Sequence, residues 1–292
     1  MDDLGTLLQN KGLARVSDQL EQLAQPSIRM ISTAMGESEL ALGTSKLGGL
    51  PDLSEDIAWP TWKDMPLAFI AQINLAEVHP LDVAGLLPVS GLLSFFYDAG
   101  HVPVGYDPAW RGGWCVLYDD GEHSRLQRVS IPPALLTKEP TWLPKGQQYA
   151  ACALRFALER TLPPANSTSL ESLQLFDQER KAYWKVLTAL EQRTPGPLHR
   201  LLGYPDALQG DMQVESQLVS HGLYLGNGWP RESARVEQLL PGAQDWQLLL
   251  QLDTDHQAEM LWGIEGRCYY WIQTNALQKQ QFENTWFIMQ WT

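Results

Sequence analysis

The stretch KLGGLPD at residues 46–52 returns with the same spacing as RLLGYPD at residues 200–206. Each copy places a basic residue ahead of a glycine and a proline, and each ends in aspartate. Glycine permits a left-handed backbone or a close approach of two chains, and proline fixes φ in the turn that follows. The two stretches therefore predict two equivalent tight turns in distant parts of the chain.

The same two strands follow each turn in the same order. FIAQIN at residues 69–74 leads to GLLSFFY at 91–97, and LLLQLD at 248–253 leads to GRCYYWI at 266–272. Aromatic and branched residues in such runs favour a sheet. Three matched elements in one order predict an internal duplication.

Helical periodicity lies outside these repeats. Leucines at three- and four-residue steps predict an N-terminal helix over residues 1–26, which Pro26 would end. A capping box formed by Thr168 and Glu171 predicts a long helix near residues 168–193. A short helix is expected around residues 152–158.

The sequence thus predicts an α+β protein, antiparallel and β-rich, built as a single body from two related repeats. Repeat one spans about residues 46–98, the connecting segment 99–199, and repeat two about 200–292. No low-complexity linker divides the chain, so both repeats are expected to share one domain over residues 40–292, with the N-terminal helix beside it.

The composition of the chain argues against several classes of function. The 292 residues are 44% hydrophobic, too apolar for a disordered chain, and they carry a formal charge of −13. This acidity argues against nucleic-acid binding, and no apolar run approaches the length of a membrane-spanning helix. The acidic start, MDD, argues against a secretory signal, so we expect a cytoplasmic protein. Three widely spaced cysteines indicate reduced core thiols: Cys115, Cys152 and Cys268.

The negative charge is concentrated in the repeats. Residues 203–265 hold ten acidic against two basic residues, and residues 46–98 hold seven against two. Such a field can simply keep a protein soluble. It is also typical of a surface complementary to a basic partner.

No constellation in the sequence indicates catalysis. Nucleophile-elbow, phosphate-loop and dinucleotide motifs do not occur. The run from Asp253 to Glu259 holds potential metal ligands but lacks the glycine of a calcium loop, so a polar turn is expected. Cys115 with His101 or His123 could form a nucleophile and base, although a buried inert thiol is favoured. We therefore expect no catalytic residues, no metal and no cofactor.

The motifs SKLGGLPDL at 45–53 and PLAFIAQINL at 66–75 resemble the YwqG-like family, a bacterial domain of unknown function. The resemblance covers roughly residues 40–290 and implies an α+β fold with a duplicated β-rich unit. One departure is Ile264, which stands where that family usually has an acidic residue, with Glu265 next. YwqG-like proteins are sometimes encoded beside polymorphic toxins and are regarded as immunity proteins.

The leading hypothesis is a non-catalytic cytoplasmic protein that binds a partner with a basic surface, namely an immunity protein that occludes the active site of a cognate toxin. The expected contact residues are acidic: Asp119, Asp120, Glu122, Asp253, Asp255 and Glu259.

The alternative is a small-ligand-binding protein or an uncharacterised enzyme, with a concave site between the repeats. Its residues would be the polar positions that both repeats share: Gln72, Asn74, Gln251 and Asp253. Gln72 and Gln251 lie within apolar strands, so their amides need partners. A tie between strand and loop is favoured for them over a ligand contact.

Overall fold

The structure, a computed structural model, describes residues 4–121, 123–133, 148–228 and 233–292. It mixes helices and strands, as expected for an α+β protein. The strands described are β1 Gln25–Ala34, β2 Lys46–Leu47, β3 Asp52–Ser54, β4 Thr61–Trp62, β5 Met65–Pro66, β6 Ala68–Asn74, β7 Leu92–Tyr97, β8 Trp114–Asp119, β9 Leu126–Arg128, β10 Cys152–Thr161, β11 His199–Leu201, β12 Trp246–Asp253, β13 Arg267–Gln273 and β14 Trp286–Gln290. The α-helices described are α1 Leu4–Asn10, α2 Ser17–Leu23, α3 Leu75–Val78, α4 Asp177–Glu191, α5 Met212–Ser220, α6 Ala234–Leu239 and α7 Thr274–Gln278. Within these ranges no helix is long and apolar enough to cross a membrane.

Ten of the described strands form one antiparallel sheet in the order β14-β13-β12-β11-β1-β10-β2-β6-β7-β8. The sheet curls until its two ends nearly meet, which makes it almost a closed barrel. Trp114 of β8 donates its indole N–H to the carbonyl of Thr285 at 3.0 Å, and its ring lies 4.9 Å from that of Trp286 in β14. These contacts cover edges that would otherwise be open to pairing.

Two long central strands join the halves of the sheet. β1 and β10 pair along their whole length, from Gln25 opposite Thr161 to Ala34 opposite Cys152. β1, which precedes the first turn motif, pairs on its other side with β11. β10, which precedes the second turn motif, pairs on its other side with β2. We call β1 with β11, β12, β13 and β14 one strand group, and β10 with β2, β6, β7 and β8 the other. Each strand group therefore includes one strand from the other half of the chain.

The aromatic strands of the two repeats meet inside the curled sheet. Phe95 of β7 packs 5.2 Å from Tyr270 of β13, and Tyr97 packs 4.7 Å from Phe287 of β14. Tyr270 also donates its hydroxyl to the carbonyl of Phe96. Aromatic residues recur in these strands because they fill the core shared by both halves.

The N-terminal helix expected over residues 1–26 is wrong in two respects. It is broken after α1, where Gly12 adopts φ +90°, and a 3-10 turn precedes α2. It also ends at Leu23, because Pro26 lies inside β1 opposite Arg160. The apolar periodicity is nevertheless real, since α1 and α2 pack their leucines against α4 in a separate hydrophobic cluster.

The helix expected near residues 168–193 is also interrupted. Residues 168–173 form a 3-10 helix that Ser167 caps, and Gln174 then adopts a left-handed backbone with φ +46°. The helix α4 proper starts at Asp177, where the carboxylate of Glu179 accepts the backbone N–H of Phe176. The break allows the chain to turn before α4 packs on α1.

The short helix expected around residues 152–158 is wrong, because these residues lie in β10. Alanine, leucine and arginine there favour a helix locally. Pairing with both β1 and β2 outweighs that preference, as tertiary context commonly does. Cys152 and Leu154 point into the core, whereas Arg155 is exposed.

Candidate functional site

The first turn motif encloses a buried ion cluster. Lys46 is fully buried, and its Nζ lies 3.0 Å from a carboxylate oxygen of Glu37 and 3.5 Å from one of Asp52. Gln72 accepts the backbone N–H of Asp52 at 2.9 Å and donates to its carboxylate at 2.8 Å. Burial raises the pKa of the Asp52 carboxyl, but bonds from Arg128 and the charge of Lys46 outweigh it and lower that pKa.

The second turn motif has the same set of contacts. Arg200 pairs with Asp206 at 2.7 Å. Gln251 accepts the backbone N–H of Asp206 at 2.8 Å and donates both to its carboxylate at 2.8 Å and to the carbonyl of Leu198 at 2.6 Å. Each glutamine therefore connects its strand to its turn, and both buried amides have hydrogen-bond partners.

The remaining shared polar positions are engaged in the same way. Asn74 donates to the carbonyl of Gly43 and caps α3. Asp253 accepts the backbone N–H of Leu198 at 2.9 Å and pairs with Arg267 at 3.1 Å.

The four residues of the alternative site lie in two separate groups. Gln72 and Asn74 are on β6, whereas Gln251 and Asp253 are on β12, with four strands between them. At about 4.8 Å per strand, the groups are about 24 Å apart along the sheet. The structure does not bring them into one site, because each group is bonded to its own turn.

Asp255 anchors the loop between β12 and β13, residues 254–266. This side chain is only 1% exposed. Its carboxylate accepts from the hydroxyl of Ser32 at 2.6 Å, contacts Nε2 of His199 at 3.1 Å, and accepts the backbone N–H of Gln257 at 2.8 Å. Burial raises the pKa of this carboxyl, but the bonds from His199 and Ser32 outweigh it and hold the pKa well below its usual range. The structure therefore places Asp255 inside the fold, where no partner protein can reach it.

Further contacts fix the 254–266 loop from within. The indole N–H of Trp262 donates to the carbonyl of Asp253 at 3.2 Å, and the hydroxyl of Thr254 donates to that of Gly266 at 3.1 Å. Asp255 and Met260 also form an antiparallel bridge. These bonds fix the base of the loop to the ends of β12 and β13.

The outer residues of this loop include exposed apolar and exposed acidic side chains. Leu261 is 60% exposed and Ile264 is 78% exposed, and Trp291 lies against Gly263 of the same loop. Glu259 and Glu265 are exposed, and both adopt φ +56°, which is uncommon for a residue other than glycine. We call these five residues the loop surface. Large apolar side chains exposed together are typical of interaction sites.

The other predicted contact carboxylates differ in exposure. Asp119 is half-buried and accepts from the hydroxyl of Ser54 and the backbone N–H of Gly121. Asp120 is exposed, and Glu122 lies outside the described residues. Among the predicted carboxylates that the structure describes, Asp120 and Glu259 are the exposed ones.

Sequence reasoning missed the apolar members of the loop surface. Leu261 and Ile264 lie just after the run from Asp253 to Glu259, which was interpreted as a polar turn. Trp291 gave no signal, because its neighbours belong to a buried strand.

The thiols do not form a reactive centre. Cys115 is half-buried, and burial raises the pKa of its thiol to about 11, so it is protonated at neutral pH. Cys152 and Cys268 are buried. Across the described ranges, no three His, Cys, Asp or Glu side chains come together in a group that could hold a metal ion.

A family model for a domain of unknown function, DUF1963, matches residues 45–291. The chain therefore belongs to the DUF1963 family. Its matched region covers both turn motifs, the 254–266 loop and every strand of the sheet except β1. No curated protein matches the chain.

Proposed function

We propose that this protein is a non-catalytic cytoplasmic binding protein, and specifically an immunity protein that neutralises a cognate bacterial toxin by occluding a basic active-site surface. The observation that carries the proposal is the loop surface. Ile264 and Leu261 are exposed apolar side chains, and Glu259 and Glu265 are exposed carboxylates of the same loop. The resemblance of the motifs at residues 45–53 and 66–75 to YwqG-like proteins adds the context of toxin neutralisation.

The physical argument combines rigidity with charge. The 254–266 loop is already ordered by Asp255 and Trp262, so little conformational entropy remains to be lost on binding. The net charge of −13 attracts a basic partner and speeds its approach.

We also propose that the two strand groups arose by internal duplication. The support is that Lys46, Asp52 and Gln72 make the same contacts as Arg200, Asp206 and Gln251. In this view β1 and β10 are equivalent strands that have exchanged places, since each pairs with the turn-motif strand of the opposite half.

The affinity of the protein for the product of the adjacent gene tests the binding proposal. We expect a stable complex, and we expect Ile264→Asp to weaken it by about tenfold or more, because a charge replaces an apolar contact. Val89→Asp is the matched control, since Val89 is also exposed but lies outside the loop surface. Equal affinities of the two variants would contradict the assignment of the loop surface as the contact site. Absence of a complex would contradict the proposal that the product of the adjacent gene is the partner.

A further inference from the structure

A cavity of about 350 Å³ lies between α4 and the outer face of β1, β10 and β11. Its size falls in the range of pockets that hold small molecules. The cavity is distinct from the loop surface and from the four shared polar positions. Its walls are largely apolar, formed in part by Leu158, Leu162, Trp184, Leu187, Leu190 and Pro205.

Two buried arginines line this cavity. Arg29 of β1 and Arg200 of β11 are direct neighbours in the sheet, and they are only 2% and 4% exposed. Like charges opposite each other destabilise a sheet, and a buried cation needs an anion beside it. Arg200 has two, because its guanidinium lies 2.7 Å from Asp206 and 3.3 Å from Glu159.

Among the described residues, no carboxylate lies within 4.0 Å of the Arg29 guanidinium. Its Nη2 donates to backbone carbonyls, of which that of Pro197 is the closest at 2.9 Å, with those of Thr194 and Gly196 at 3.3 and 3.4 Å. Its Nε is buried and has no hydrogen-bond partner in the described structure. This guanidinium therefore has no carboxylate in direct contact and one buried N–H group without a partner, although the charges of Glu159, Asp206 and Asp253 act on it from further away.

The first ion cluster provides an internal comparison. The residue opposite Lys46 on its long strand is Ala153, at the place where Arg29 stands opposite Arg200. The second cation of the cluster around Lys46 is Arg128, which comes from β9 and not from the long strand. The turn motif around Lys46 is therefore bonded without a cation at the place that corresponds to Arg29.

The space beside Arg29 is also left open. Ala157 of β10 is its direct neighbour on the other side, and this small side chain lines the cavity. A larger residue at position 157 would fill the volume next to the guanidinium. The sequence thus combines an unpaired cation with room for an anion.

The charge of the cavity is opposite in sign to that of the protein. Four arginines line it against three carboxylates, a net charge of +1 in a chain of −13: Arg29, Arg160, Arg193 and Arg200 against Glu159, Glu191 and Asp206. Burial also raises the pKa of the Glu159 carboxyl, which makes the cavity less acidic still. Apolar walls and one excess positive charge suit an anion with an apolar body.

We propose that this cavity binds a monocarboxylate with a hydrocarbon chain, whose carboxylate pairs with Arg29 while the chain lies against Trp184, Leu187 and Leu190. Pairing would supply the missing anion and satisfy the free Nε–H. Burial of the chain against the face of α4 would supply most of the affinity. The site is independent of partner binding by the loop surface.

Calorimetric titration of the full chain with sodium decanoate tests the proposal. Decan-1-ol, which has the same chain without the charge, and acetate, which has the charge without the chain, should each bind at least about tenfold more weakly. Arg29→Met should weaken decanoate by about tenfold or more and leave decan-1-ol unchanged. Ala157→Phe, which fills the cavity, should abolish binding of both.

Lys185→Ala is the matched control, because Lys185 is exposed on α4 and does not line the cavity. This variant should bind decanoate as the unchanged protein does. Circular dichroism would establish that each variant is folded. If Arg29→Met did not fold, the comparison of decanoate binding by Ala157→Phe and by Lys185→Ala would still test the proposal. Absence of decanoate binding, equal binding of decan-1-ol, or full binding by folded Ala157→Phe would each overturn the proposal. Ile264→Asp should bind decanoate normally, which separates this result from the partner proposal.

Discussion

Replacement of Asp255 by alanine should loosen the 254–266 loop and destabilise the protein strongly. The change removes the acceptor of bonds from Ser32, His199 and the backbone of Gln257, all at 3.1 Å or less. Bonds to a buried carboxylate contribute about 1.5–3 kcal/mol each, and they are not additive. Because buried donors also lose their partner, we expect the free energy of unfolding to fall by about 3–5 kcal/mol.

Urea unfolding followed by circular dichroism measures this loss, with Glu259→Ala as the matched control. Glu259 is an exposed carboxylate on the same loop, so its removal should change the free energy of unfolding by less than about 0.5 kcal/mol. A loss for Asp255→Ala no larger than that of Glu259→Ala would refute the anchoring role.

The pH dependence of the same variant gives an independent test. The folded pKa of Asp255 lies below its unfolded value, so the ionised carboxylate stabilises the fold above about pH 4 and this contribution is lost as the pH falls further. The difference in stability between the unchanged protein and Asp255→Ala should therefore be greatest near neutral pH and shrink in acid. A difference that stayed constant below pH 4 would contradict the electrostatic part of the argument.

Four further substitutions test the interior. Gln72→Leu and Gln251→Leu should each lower the free energy of unfolding by about 2–3 kcal/mol in urea, and by similar amounts, because the two amides make the same bonds; a large inequality would contradict the equivalence. Glu215→Gln should raise the melting temperature at pH 8 but not at pH 5, because burial raises the folded pKa of Glu215 to about 7 and its ionisation above that pH opposes folding; a gain equal at both pH values would contradict this. Arg200→Met should destabilise the protein more than Arg29→Met in urea, because it leaves Asp206 without its closest cation; the reverse order would argue against an unpaired Arg29.

The turns and strands that follow local patterns were predictable from the sequence. The motifs KLGGLPD and RLLGYPD predict the two turns, and each glutamine within an apolar strand requires a hydrogen-bond partner nearby. The central pairing of β1 with β10 was not predictable, because β1 lies outside the repeat and β10 has helix-favouring residues. Pairing between distant segments determines the conformation of such residues, and no local sequence pattern indicates that pairing.

The candidate site was predictable only in part. The run from Asp253 to Glu259 was identified, but Asp255 faces inward because His199 and Ser32 approach its carboxylate from distant parts of the chain. The half-buried carboxylate of Asp253 is bonded by Leu198 and Arg267. Glu259 was assigned to the surface and is exposed there. Arg29 gave no signal in the sequence, since its lack of an anion is a property of the three-dimensional neighbourhood.

The most direct test of the central claim is growth rescue against the product of the adjacent gene when that product is expressed as a toxin. We predict that the unchanged protein and Val89→Asp restore growth, whereas folded Ile264→Asp does not, because the loop surface makes the contact. Failure of the unchanged protein to restore growth would contradict the immunity proposal, and full rescue by Ile264→Asp would contradict the loop surface as the site of contact.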